Sequence, residues 1–156
     1  MTYLFSIALM FGALLLARFA ELPANVTPIL AAAVVASQFT NKVWAQWLLP
    51  VAVLFVSDYF IGFYDAAPVV YAMVMFASIL GTHVKNMYVA GVGSVFAWHL
   101  VVNGAVWAYS LGTLSLAQTY AMAIPFDFRL LASTVFCIGV YDIAKRSVSA
   151  LATRVA

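Results

Sequence analysis

Charge is what this chain has least of: Asp, Glu, Lys and Arg together make up 8% of its 156 residues. The net charge is +2, and no basic run exists that could follow a phosphate backbone, so nucleic-acid binding has no support. Cysteine is nearly absent too. The single Cys137 excludes an intrachain disulfide and the paired-thiol zinc patterns, and it reads as a small core hydrophobe. His83, His99, Asp58 and Asp127 show no His-x-x-His or Glu-x-x-His spacing, so neither a metal nor another cofactor is expected. Gly91-Val92-Gly93-Ser94-Val95 lacks the glycine after serine that a nucleophile elbow needs, and no protease or phosphatase constellation is visible. The chain therefore does not read as an enzyme; a membrane enzyme using His99 and Asp58 is the weakest alternative. No Gly-x-x-x-x-Gly-Lys loop holds ATP, so any active transport would draw its energy from a partner. Long hydrophilic tails, low-complexity segments and a soluble second domain are missing. Met1–Phe5 carries no Lys or Arg, so the first apolar stretch reads as a permanent span rather than a cleaved signal.

Apolar residues fill the space that charge leaves. They make up 67% of the sequence, and mean hydropathy is +1.07. A soluble domain of this size keeps too many residues near its surface to hide that much apolar area. The lipid bilayer is therefore the expected solvent. Residues 1–156 predict one domain, an all-α integral membrane protein built as a compact bundle of about six transmembrane helices.

Six apolar segments support that reading: Tyr3–Ala20, Thr27–Phe39, Val43–Gly62, Val69–Thr82, Met87–Leu111 and Leu116–Ile143. The second and fourth are too short to cross about 30 Å of hydrocarbon unless tilted, packed inside the protein or extended by their flanks. Pro125, with Asp127 and Arg129 close behind, predicts a kink or break in the sixth. With six crossings, Lys42, Lys85, Lys145, Arg146 and Arg154 all fall on one side, and only Arg18 lies near a loop on the other. The excess of positive charge predicts both termini in the cytoplasm of a multi-pass bacterial inner-membrane protein. Aromatic residues near several segment ends, such as Trp44, Tyr64 and Trp107, fit interfacial belts.

That orientation gathers the polar residues at one level. His99 and Asn103, four apart on one helix face, lie at mid-depth and further out. Asp58, Asp127 and Arg129 fall in the outer half, and Arg18 and Asn25 bracket the first outer turn. Taken singly, each reads at least as readily as glue between helices: a cap at Asp58, an ion pair from Arg129 to Asp58 or Asp127, a helix contact at His99. Taken together they favour a cavity open to the outside. Asn103 is the better ligand contact of the His99/Asn103 pair, and the deeper His99 the better structural hydrogen-bonder or gate. In the first segment Ala8 and Gly12, and Ala13 and Ala17, are small residues four apart, which suits internal packing or a docking face for another membrane subunit.

Four stretches resemble a known family. They are Leu22-Pro23-Ala24-Asn25-Val26-Thr27-Pro28-Ile29-Leu30-Ala31-Ala32, Ser57-Asp58-Tyr59-Phe60-Ile61-Gly62, Val102-Asn103-Gly104-Ala105-Val106-Trp107 and Tyr120-Ala121-Met122-Ala123-Ile124-Pro125-Phe126. In this order they resemble small bacterial membrane proteins related to the substrate-binding S components of energy-coupling factor vitamin transporters. The resemblance implies an S-component-like fold with a ligand pocket near the outer face. It suggests Asn25, Asp58, Asn103, Trp107 and Pro125 around that pocket, and a small-residue face on the first helix for a membrane coupling subunit. The chain departs from that pattern in being short, with short second and fourth segments. The combined expectation is a non-catalytic protein that binds or takes up a small, vitamin-like organic solute through Asn25, Asp58, His99, Asn103, Trp107, Asp127 and Arg129. The alternative is an accessory subunit packed against a larger membrane complex.

Overall fold

Breaks in the apolar runs set the element boundaries. The computed structural model describes residues 2–110 and 113–155, with side chains over 11–110 and 113–150. Six α-helices follow one another: α1 (Thr2–Phe19), α2 (Ile29–Val35), α3 (Val43–Ile61), α4 (Ala67–His83), α5 (Met87–Tyr109) and α6 (Leu116–Val155). No strand occurs among the described residues. Gly62, at φ +115, ends α3 in a backbone region that side chains rarely enter. Pro68 sits in the first turn of α4, where a missing N–H is harmless. Asn86 caps α5 by accepting from the N–H groups of Tyr88 and Val89 at 2.9 and 3.2 Å. Ser115 and Gln118 cap α6 reciprocally: Gln118 N–H donates to Ser115 Oγ at 3.2 Å, and Ser115 N–H to Gln118 Oε1 at 2.9 Å.

The helices alternate in direction, as the pairs across their seams show. Asp58 meets Tyr71 and Gln46 meets Thr82, so α3 and α4 are antiparallel. His99 meets Asp127 and Tyr88 meets Asp142, so α5 and α6 are antiparallel. Arg18 reaches Ser57 and Asp58 at the matching end of α3, so α1 and α3 run the same way. One end of the bundle thus holds Arg18, Asn25, Asp58 and Asp127, and the other Lys42, Lys85, Lys145 and Arg146.

The core is built around α2. All seven of its residues are buried, and it packs against every other helix. An Ile-Leu-Ala-Ala-Ala-Val-Val sequence has no polar face to turn outward, and its alanines allow close approach from all sides. A short 3-10 turn, Ala36–Gln38, completes it. The segment expected to be too short to span is therefore an interior helix. α4 comes so near that a Cβ on Gly81 would stand 2.0 Å from the Val34 carbonyl oxygen. Glycine is the residue that permits this contact.

Among the described residues three helices are long and apolar enough to cross a membrane, namely α3, α5 and α6, and they mark the chain as membrane-associated. α6 is one unbroken helix of 40 residues with Pro125 inside it, about 60 Å long at 1.5 Å per residue. The expected break at Pro125 does not occur. Proline removes one intrahelical hydrogen bond, and the bonds on either side of it carry the helix through.

Candidate functional site

Two hydrogen-bond networks occupy the end of the bundle opposite the lysines. The first is centred on Asp58, 0% exposed near the C-terminal end of α3. The Arg18 guanidinium forms an ion pair with Asp58 Oδ1 through Nη2 and donates from Nε to Ser57 Oγ at 3.0 Å. The Tyr71 hydroxyl donates to Asp58 Oδ2 at 2.8 Å. Both carboxylate oxygens are thus engaged, as burial of a charge demands. The partner of Asp58 is Arg18, at the end of α1, and not Arg129.

The second network is centred on Asp127, 6% exposed on α6. Oδ1 accepts from Asn25 Nδ2 at 3.3 Å. Oδ2 accepts from His99 Nδ1 at 2.7 Å and from Asn103 Nδ2 at 2.7 Å. The Asn103 amide also donates to the His99 carbonyl at 2.9 Å, its own helix one turn back. Where Asp127 is the carboxylate, His99 Nδ1 holds the proton of this bond, and Nε2 has no partner among the described residues. Asn25 reaches α6 because its backbone sits at φ +65 in the left-handed region, which asparagine tolerates better than most residues.

A cavity of about 450 Å³ lies between these networks. Arg18 and the Glu21–Thr27 turn form one wall, Leu54, Tyr64 and Val70 another, and Trp98, Val102, Val106 and Leu130 the third. Trp98, Val102 and Val106 are spaced four apart, so one stripe of α5 faces the cavity while the adjacent His99–Asn103 stripe faces α6. The volume lies within the usual range of small-molecule sites, about 300–1,000 Å³. Burial and the Asp58 carboxylate push the Tyr64 phenol above its ordinary value, so it stays a neutral hydrogen-bonding group at the rim.

Among the expected site residues, Asn25 lines this cavity directly. Asp58 stands behind Arg18. Asp127, His99 and Asn103 form one network behind Asn25. Trp107 and Arg129 lie apart from both networks: Trp107 is exposed on α5, and the Arg129 guanidinium sits 5.7 Å from the centre of the Phe126 ring. In α1, Ala17 lines the cavity, Ala13 is exposed, and a Cβ on Gly12 would meet nothing within 4 Å. The side chain of Ala8 lies outside the described residues. Arg18, Tyr71 and Trp98 join the site without having been expected as ligand residues. Depth was the available signal for Arg18, which falls level with Asp58, and helical phase was the signal for Trp98. Among the described residues no three His, Cys, Asp or Glu side chains stand close enough to share a metal ion.

The model of one protein family, DUF6580, matches residues 1–151. The chain belongs to this family of unknown function. No curated protein and no solved structure matches it. For this DUF6580 member, chemistry must therefore be argued from the cavity and its two flanking carboxylates.

Proposed function

We propose that this DUF6580 chain binds a small organic solute in the cavity between Arg18, Asn25, Tyr64 and Trp98, without covalent chemistry. The observation that carries the reading is the cavity itself: about 450 Å³, mostly apolar, with an indole wall and the polar side chains of Arg18, Glu21, Asn25, Thr27 and Tyr64 in its lining. Asp58 and Asp127 are already matched by donors, and Glu21 adds an exposed carboxylate to the wall, so the site suits a neutral or cationic solute better than an anion. In this reading the bundle crosses a bacterial inner membrane several times with both termini in the cytoplasm, because Lys42, Lys85, Lys145 and Arg146 gather at the end away from the cavity. The cavity then opens outward. As the resemblance to S components implies, a coupling subunit would supply the energy for uptake.

The test is a thermal-shift screen of purified protein against a broad set of vitamins and related metabolites, followed by titration of any hit. A hit should bind at least tenfold more weakly to Trp98→Ala and to Asn25→Ala. A screen without any shift on folded wild type, or a hit indifferent to both substitutions, sinks the reading.

One observation favours a second reading, an accessory subunit. Among the described residues α1 packs only against α2 and α3, leaving Leu16 and Phe19 exposed beside the open space at Gly12. Gentle solubilisation and native mass measurement separate the two: a stoichiometric complex supports the subunit, and a lone chain carrying solute supports the binder.

A further inference from the structure

A second cavity, about 290 Å³, opens on the α5–α6 seam. It shares no lining residue with the solute cavity, although Asn25 of that cavity is hydrogen-bonded to Asp127 of this one. Val92, Val95 and Phe96 wall it from α5, and Ile124, Phe128 and Leu131 from α6. His99 and Asp127 are its polar lining. The rim is greasy and outward-facing: Phe96 is 64% exposed and Phe128 68%. On two helices able to span a membrane, such a rim meets hydrocarbon.

The polar floor offers one atom. Both Asp127 oxygens are taken, Oδ1 by Asn25 and Oδ2 by His99 and Asn103. His99 Nδ1 is committed to Asp127. Among the described residues His99 Nε2 has no hydrogen-bond partner; the neighbouring Tyr120 hydroxyl is given to the Leu100 carbonyl at 2.6 Å. A fissure in an apolar seam whose polar lining is His99 and Asp127, with His99 Nε2 the unpartnered ring nitrogen, is a site for a molecule that is itself apolar apart from one group. We propose that it binds a membrane-dissolved amphiphile whose one polar group is a hydroxyl, hydrogen-bonded to His99 Nε2. A hydroxyl both donates and accepts, so it serves the ring whether Nε2 carries a proton or not. A carboxylate or phosphate would bring a second negative charge beside Asp127. An ammonium group would have to shed its hydration in an apolar fissure whose carboxylate already accepts three hydrogen bonds.

Photolabelling in phospholipid nanodiscs tests this. One probe is dodecan-1-ol with a mid-chain diazirine, and the control is the same chain without the hydroxyl. In wild type, the alcohol should label the peptides containing Phe96 and Phe128 at least threefold more than the hydrocarbon does. His99→Asn should abolish that excess, since an asparagine amide can still donate to Asp127 but has no atom where Nε2 was. Val92→Phe, which narrows the fissure without touching His99, should do the same and stands in if His99→Asn does not fold. Equal labelling by the two probes in wild type overturns the proposal, as does an excess that survives either substitution in folded protein.

Discussion

Asp58 and Asp127 show how a strongly apolar helical chain keeps buried carboxylates. Each is held by donors from elements other than its own: α1 and α4 for Asp58, α5 and the first turn for Asp127. Removing one partner from a buried ion pair leaves an uncompensated charge, a loss of about 3–5 kcal/mol. Arg18→Leu is therefore expected to destabilise the protein by that amount in denaturation from mixed micelles. Arg18→Leu combined with Asp58→Leu should recover much of the loss, because no charge remains to desolvate. Additive losses in the two single variants and the double variant would show that the residues are not coupled. Thr134, in the seam beside Gly91, presents the opposite case. Its hydroxyl is buried and has no hydrogen-bond partner. Thr134→Val keeps the shape and removes the unpaired group, and should raise stability by about 1 kcal/mol in the same measurement.

α2 and α6 depart furthest from what helix length suggests. α2 succeeds as a seven-residue helix because its stability comes from burial on every side and not from its own hydrogen bonds. Its contact with α4 depends on the missing side chain at Gly81, where an added Cβ would meet backbone that cannot rotate away. Gly81→Ala should lower stability by about 1–3 kcal/mol, the usual range for overpacking, with loss of folded yield at the upper end. α6 poses the Pro125 question. A helix broken there for function would lose solute binding when proline is replaced. A continuous helix gains a hydrogen bond instead. Pro125→Ala is expected to leave solute binding unchanged and stability equal or higher, measured by titration and thermal unfolding.

At the scale of the molecule, the bundle has a charged end and a hollow end. Lys145 Nζ donates to Gln38 Oε1 at 2.7 Å and Asp142 pairs with Arg146 at 2.9 Å, tying α6 to the end of α2 and to its own next turn. The solute cavity lies at the other end, under the Glu21–Thr27 turn. The sidedness proposed from the charge is checked by labelling. In a Cys137→Ser background, single cysteines at Lys85 and at Asp65 should react oppositely with an impermeant maleimide in intact cells. Asp65→Cys should be labelled and Lys85→Cys protected. The reverse pattern would place the cavity on the cytoplasmic side and remove the outward-binding reading.

Much of this was legible in the residues alone. Composition pointed to membrane association, since 67% apolar residues is more than a small soluble domain can bury. Apolar runs separated by Asn, Pro, Gly and charged turns determined six helices, and the lysine distribution determined which ends share a side. The level at which the polar groups gather came from the same count. Pairing did not, because depth along a helix is one-dimensional while partnership needs rotation and neighbour identity. Only the tertiary structure decided that Asp58 takes Arg18 and Asp127 takes His99, that Trp98 faces the cavity while Trp107 does not, and that the short second segment lies inside the bundle. Helical period leaves several faces open to each residue, and packing against the other helices selects one.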